Sequence, residues 1–474
     1  MENSKLISLF KTFSTKELRE FGDFVESPFF NKNEELVKFF AYLRKQAPEF
    51  SPKKVSREAV FKALYPKQPY DDKLLNYLMS FLLKLAEQYL GYSQLAEQET
   101  LHRYYTLQAC VQRKLEKHYQ LLHSQAVEKL EQYPHRNNEY YYHRYLLADL
   151  ANQHFLKQMV RKYDERLQQA ADNFDQYFLA GKLKYCCEML DRRNSLEADY
   201  QLYMLDEVLA YVSANPQVHT PPIAIYHTVL LMLIHQMDTD YFGRLKQLLE
   251  QYKGQFPQPE YRDIYMFGIN YCIRKVNQGD QHFLEQLFQL YKDAFESNLL
   301  VDDGFLSPWA YKNMIGVGLR LKKFDFTELF IREYNNKLAP DFRENALYYN
   351  LAELFYYKKD YSKALENLNK VEFSDIYYQL DTKKMMLKIY FELDEIDALY
   401  SLIASFRIFL RRTRLISEAN KEAYVNFLHM VNLLVKRDKS MLSEIKEKIA
   451  TTSPLADRKW LKEVCDKMEK LRPV

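Results

Sequence analysis

The chain contains few of the residues that interrupt helices. Its 474 residues include only 10 glycines and 15 prolines, and leucine far outnumbers valine and isoleucine. Glycine and proline mark turns, and β-branched residues favour strands, so their scarcity argues against a strand-rich fold. A nucleotide cradle built from bare backbone is not expected either, because such loops need several glycines. The composition therefore predicts helices throughout.

Cysteine and long apolar runs are also scarce. An odd number of cysteines without a CxxC pair is typical of reduced thiols in a cytoplasmic protein; the five are Cys110, Cys186, Cys187, Cys272 and Cys465. Lys5 and Lys11 interrupt the apolar N-terminal stretch, which argues against a signal peptide. The most apolar run, 229–234, is too short to cross a bilayer, so we predict no membrane insertion.

Motifs that carry chemistry are missing as well. The sequence has no HExxH, no GxSxG and no zinc ligand set. Glu99 and His102 form a single Glu-x-x-His, whereas a di-iron bundle needs two such motifs and partner glutamates. His227 and His235 are about two helical turns apart, too far to share a metal ion easily. We predict no enzymatic activity, no cofactor and no metal; an enzyme with an unfamiliar site in a helical fold stays an alternative.

The most regular pattern lies between Glu344 and Phe409. One apolar stripe has helical spacing (Tyr348, Leu351, Ala352, Phe355) and a second follows the polar step 358–360 (Tyr361, Ala364, Leu365, Leu368, Val371). Two short amphipathic helices joined by so short a turn must be antiparallel. Ala352 and Ala364 are small enough for the points where the helices cross.

A shift of 34 residues repeats this pattern. The matching residues of the second pair are Met385, Ile389, Ala398, Leu399 and Leu402. This period and its large-small-large order resemble the tetratricopeptide repeat. The second unit departs from the family at Met386 and Glu395, where a small residue and an aromatic are usual, and no proline closes either unit. Ile315, Gly316 and Leu319 give a degenerate echo upstream.

The resemblance implies an all-α fold, a right-handed α-solenoid of antiparallel helix pairs, preceded by an N-terminal helical domain. We predict three regions: 1–97 as that domain, 98–257 as paired long helices with degenerate repeats, and 258–474 as repeats with C-terminal capping helices. Within the middle region, 99–133 reads as a nearly unbroken helix that Pro134 ends. The alternative is a set of ordinary antiparallel helix pairs, which also carry apolar stripes and occasional alanines.

Two local patterns stand out in the N-terminal region. Ser14 and Glu17 have capping-box spacing at a helix start. The loop 27–33 contains Phe29 and Phe30, which either plug the core or form a docking point for a partner.

The same resemblance implies a function. Stacked helix pairs leave a concave face lined by the first helix of each pair. The residues on this face would be Tyr349, Glu353, Tyr356, Tyr357, Lys383, Leu387 and Tyr390. We therefore expect a non-enzymatic scaffold or adaptor that binds another protein or a peptide. Tyrosines suit such a surface because they give a large contact area with few rotatable bonds.

Charge distribution leaves a second function open. The net charge is only +3, but 401–474 contains 16 basic and 9 acidic residues. Arg407, Arg411, Arg412 and Arg414 cluster near a predicted helix end. They either complement the helix dipole or form an anion-binding site for acidic peptide, phosphate or nucleic acid. A nucleic-acid-binding or regulatory protein that uses this basic segment is the alternative.

Overall fold

The computed structural model describes residues 1–159, 162–195, 199–302, 304–371, 376–413, 417–436 and 441–470. These residues form 23 α-helices, two short 3₁₀ helices and a two-stranded antiparallel ribbon in which Val301 pairs with Leu306. The predicted all-α class is confirmed.

Two compact units make up the chain: residues 1–185 with 204–226, and residues 186–203 with 227–474. The predicted middle region 98–257 is therefore shared between them. The first unit contains α1 (Lys5–Phe10), α2 (Thr15–Glu26), α3 (Glu34–Arg44), α4 (Arg57–Leu64), α5 (Asp72–Glu97), α6 (Glu99–Gln112), α7 (Glu116–Glu131), α8 (Asn138–Lys157), α10 (Leu205–Ala214) and a 3₁₀ helix (Pro216–Val218). Both units include parts of α9 (Arg166–Ser195) and α11 (Pro221–Ile234).

Helices α1 to α5 share one aromatic-rich core. The capping box at the start of α2 is confirmed: the Glu17 amide donates to the Ser14 hydroxyl at 3.2 Å, and the Ser14 amide donates to the Glu17 carboxylate at 2.7 Å. In the aromatic loop, Phe30 stacks on Phe24 at 3.9 Å between ring centroids, while Phe29 is 80% exposed. Of the two phenylalanines, only Phe30 packs against the domain.

The segment 99–133 is not one helix, contrary to the sequence prediction. It forms α6 and α7, which contact each other across a tight turn. Lys114 in that turn has a φ of 58°, and the Leu115 amide donates to the Cys110 carbonyl at 2.9 Å. The turn was missed because no glycine or proline marks it.

The described part of the second unit contains twelve further α-helices, a 3₁₀ helix and the ribbon. They are α12 (Asp240–Gln251), α13 (Gln258–Asn277), α14 (His282–Glu296), β1 (Val301–Asp302), β2 (Phe305–Leu306), α15 (Pro308–Arg320), α16 (Phe324–Tyr334), a 3₁₀ helix (Asn335–Lys337), α17 (Pro340–Tyr357), α18 (Tyr361–Leu368), α19 (Ile376–Glu392), α20 (Ile396–Arg412), α21 (Glu418–Val435), α22 (Leu442–Thr451) and α23 (Arg458–Lys470).

Helices 13 to 20 form four successive hairpins, and helices adjacent in sequence are in contact. The first helices of neighbouring hairpins also touch, since α15 contacts α17 and α17 contacts α19. Small residues allow the close approach. Ala352 and Ala364 are fully buried in one cluster, as predicted, and a side chain on Gly318 would collide with the Thr327 hydroxyl of the partner helix.

All four hairpins close with the same turn. The second residue after each first helix has a positive φ: Gly279 at 103°, Lys322 at 58°, Lys359 at 61° and Asp394 at 64°. The amide that follows donates to the carbonyl five residues earlier at 2.9 to 3.0 Å, which is the Schellman arrangement. Because Lys359 and Asp394 are 35 positions apart, the hairpin period here is 35 rather than the predicted 34.

The crossing of α17 and α18 gives a stability test. Ala364→Leu should lower the free energy of unfolding by about 1–3 kcal/mol, because the added carbons have no space between the two helices. Lys363→Leu adds a similar volume at an exposed position and should cost little. Urea denaturation of both variants is the measurement, and equal tolerance at the two positions would contradict the packing described here.

Candidate partner-binding groove

Two adjoining cavities lie along one side of the hairpin series in the second unit. The first, about 320 Å³, is lined by Ile273, Val276, Asn277, Leu287, Tyr291, Lys312, Asn313, Gly316, Val317, Arg320 and Glu353. The second, about 680 Å³, is lined by Val276, Asn277, Gly279, Gln281, Arg320, Tyr356, Tyr357, Lys388, Asp457, Lys459, Trp460 and Glu463. Because three residues line both cavities, they form one continuous depression, which we call the groove.

The first helices of the four hairpins supply most of the groove. Helices α13, α15, α17 and α19 each contribute side chains, whereas only α14 contributes among the second helices. The start of α23 adds Lys459, Trp460 and Glu463. Side chains from segments far apart in sequence therefore meet in one polar depression.

Ion pairs join the first helices beneath the groove. The Asp381 carboxylate of α19 accepts from the Lys312 ammonium of α15 at 2.7 Å and from Lys384 at 3.0 Å. Lys388, one turn further along α19, donates to Asp457 at 2.8 Å. All five groups are partly shielded from water, so these contacts are screened less than surface pairs and help to hold α15, α19 and the start of α23 together.

Each of two groove lysines also lies near a tyrosine of α17. The Lys312 ammonium is 5.1 Å from the ring centre of Tyr349, and that of Lys388 is 5.3 Å from Tyr356 and 5.8 Å from Trp460. All three distances suit cation–π attraction. A lysine held by an aromatic ring and an aspartate is thus a recurring arrangement here.

Burial and nearby charges shift the pKa values of three ionisable groups. Burial alone would raise the pKa of Asp381, but the ammonium groups of Lys384 and Lys312 outweigh it and hold that pKa below its usual value. For Glu353, burial is the strongest influence, and its pKa is raised although Lys312 favours the charged form. Burial also raises the pKa of the Tyr357 hydroxyl to about 12.

The structure places only three of the seven predicted contact residues in the groove. Glu353 lines the first cavity, and Tyr356 and Tyr357 line the second. Tyr349 is buried beneath Lys312, and Leu387 is fully buried in the core that α19, α20 and α21 share. The remaining two lie elsewhere: Tyr390 packs against that same core, and the Lys383 ammonium is 5.5 Å from the ring centre of Phe409 on α20.

A one-residue error in register explains the misplaced residues of α19. The predicted period of 34 put Lys383 and Leu387 on the groove side, whereas with the observed period of 35 Lys388 lines the groove and Lys384 pairs with Asp381. One residue turns a helix face by about 100°, so a small error in period moves a side chain from surface to core. The sequence pattern gave no signal for the aspartate partners of Lys312 and Lys388, each 69 residues away.

The predicted arginine cluster lies at the end of α20, as expected. Arg407, Arg411 and Arg412 are exposed, and none has a carboxylate partner among the residues that the structure describes. Arg414 lies outside the described residues.

Two absences hold for the described part of the chain. No group of histidine, cysteine, aspartate and glutamate side chains is arranged to hold a metal ion there. None of its helices is both long and apolar enough to cross a membrane.

Comparison with known proteins identifies no relative. No protein-family model, curated protein or solved structure matches the chain. The likeness to the tetratricopeptide repeat therefore rests on the residue pattern alone.

The ion pairs give a pH-dependent test. Asp381→Asn leaves Lys312 and Lys384 without their carboxylate, and we expect a loss of about 2 kcal/mol at pH 7, less than for a fully buried pair because water reaches these groups. Because the folded pKa of Asp381 is below the unfolded value, its contribution is present above about pH 4 and is lost as the pH falls through the folded pKa. The difference between wild type and variant should therefore shrink below pH 4.

Urea denaturation at several pH values measures this difference. Glu447→Gln, an exposed acid without a cation partner among the described residues, is the control for net charge. A loss that stays constant from pH 7 to pH 3 would show that the ion pair is not its cause.

Proposed function

We propose that this protein is a non-enzymatic scaffold or adaptor, and that the groove binds a segment of another protein. In this proposal the hairpins stack as a right-handed solenoid like that of tetratricopeptide repeats, and the groove is part of its concave face. The chain would act in the cytoplasm. Its five cysteines are buried and form no disulfide among the described residues, which suits a reducing compartment.

The observation that carries the proposal is the position of the groove. Its walls come mainly from the first helices of consecutive hairpins, which contact each other side by side. Stacked helix pairs expose these helices on one side and use that side to bind extended segments. Its combined size and its mixture of aromatic, amide and charged groups suit a peptide better than a single apolar ligand.

Tyr357 is the groove residue best placed for a binding test, because it is 40% exposed and lines the second cavity. Tyr357→Ala should leave the fold intact and weaken partner binding by about tenfold or more, since tyrosines often dominate interface energies. The measurement is affinity capture from cell extract, followed by titration of the purified partner.

A matched control keeps the test specific. Tyr400→Ala removes the same residue type from a similarly exposed position of the second unit outside the groove. Equal partner affinity for wild type and the groove variant would contradict the proposal.

The basic segment supports a second candidate, nucleic-acid binding. Arg407, Arg411 and Arg412 project to solvent from the last turns of α20. If they contact phosphates, affinity for generic duplex DNA should fall steeply with salt, and changing all three to glutamine should lower the slope of log K against log salt by about 3.

The control changes Lys53, Lys54 and Lys67 to glutamine, which removes the same charge from exposed positions of the first unit. Fluorescence anisotropy across salt concentrations distinguishes the two variants. An absence of DNA binding by wild type at low salt would remove this candidate.

A further inference from the structure

Glu353 is the anomalous group of the groove. It lines the first cavity and is partly buried, yet no hydrogen bond or ion pair to its carboxylate exists among the described residues. Partly buried charged groups normally have partners, because removing them from water is costly. The nearby lysines do not supply one, since Lys312 and Lys388 donate to Asp381 and Asp457.

Tyr357, its neighbour on α17, also lacks a cationic partner among the described residues. Tyr357 lies one turn after Glu353 on the same helix face, close enough that, besides burial, the charge of Glu353 raises the pKa of the Tyr357 hydroxyl. Two other tyrosines of α17, the buried Tyr349 and the groove residue Tyr356, each have a lysine ammonium over the ring. No lysine or arginine of the described chain lies over Tyr357.

Gly316 adds an independent observation. It lies inside α15, where glycine is less favourable than alanine, and its φ is an ordinary helical one. A β-carbon there would meet no atom within 4 Å, whereas one on Gly318 would collide with Thr327. Neither packing nor backbone geometry therefore requires glycine at position 316, which lines the same cavity as Glu353. The missing side chain leaves room for a group that approaches the helix closely.

We propose that Glu353 and Tyr357 bind a lysine or arginine side chain of the partner segment, and that Gly316 leaves the space through which this side chain enters. The ligand's cation would repeat the arrangement of Lys312 and Lys388, in which an ammonium lies between a ring and a carboxylate. This inference rests on the proposed function, because it names the chemistry of the segment that the groove binds.

Arg320 allows a test of whether the ligand is basic or acidic. It lines both cavities and donates a hydrogen bond to the Gln281 amide oxygen at 3.4 Å. No carboxylate among the described residues pairs with it, so its positive charge is available to act on a ligand. A basic ligand is repelled by Arg320 and attracted by Glu353; an acidic ligand has the opposite preferences. Neutralising each residue in turn therefore distinguishes the two kinds of ligand.

The experiment uses the full-length protein and a phage library of random 12-residue peptides. Selected peptides should share a lysine or arginine, and replacing that residue by glutamine should weaken binding by about tenfold. Glu353→Gln should weaken the parent peptide to the same extent and barely change the glutamine peptide. Arg320→Gln should leave the affinity for the parent peptide equal or higher. Fluorescence polarisation gives each dissociation constant.

A further pair of variants tests access to the cavity. Gly316→Leu should abolish binding of the selected peptide while Tm stays at or above that of wild type. Gly243→Leu is the matched control, since a β-carbon at this helical glycine of the same unit also meets no atom within 4 Å and the residue does not line the groove. It should bind as wild type does.

The outcomes separate this inference from the proposed function. Peptides without a shared basic residue, or ones that bind more weakly to Arg320→Gln and more tightly to Glu353→Gln, would overturn the inference and leave a peptide-binding groove. Selected peptides that bind Gly316→Leu as well as wild type would also overturn it. A library that yields no binding peptide would overturn both.

Discussion

The groove depends on how closely the two helices of each hairpin approach each other. Ala352 and Ala364 are fully buried where α17 meets α18, and Gly318 meets Thr327 where α15 meets α16. Larger side chains at these points would separate the helices. Close hairpins in turn bring the first helices side by side, so that α15 and α19 share an ion pair and α15, α17 and α19 line a common depression. Small residues in the core thus determine which polar residues meet at the surface.

The turn between the two helices of a hairpin determines where the first helix ends and how the second is rotated relative to its neighbours. A left-handed residue and a hydrogen bond to the carbonyl five residues earlier end each first helix at a defined point. Lys322, Lys359 and Asp394 occupy this position although glycine would suit it better, so the turn is specified by packing of the helices and not by its own residue type. Shifting such a turn by one position rotates the following helix relative to its neighbours and exchanges core and groove residues.

This explains which parts of the molecule were predictable from sequence. Apolar stripes revealed the helices. The small size of Ala352 and Ala364 correctly predicted that they lie where two helices cross. Turns without glycine or proline gave no signal, so the break at Lys114 was missed. Three groove residues, Glu353, Tyr356 and Tyr357, were predicted because they lie on α17, the helix with the clearest apolar stripe. Partners 69 residues apart depend on how hairpins stack, which no local pattern records.

The first cavity has two features that are locally destabilising, and they are the physical reason for proposing that the groove binds a ligand. A glycine inside a helix and a carboxylate without a partner each reduce stability, and both line the first cavity. In the same region Lys312, Lys388 and two tyrosines satisfy one another closely. Because Lys312 and Lys388 are paired with Asp381 and Asp457, the fold has no evident structural need for the exceptions. A ligand that supplies the missing donor and occupies the missing side-chain volume accounts for both at once.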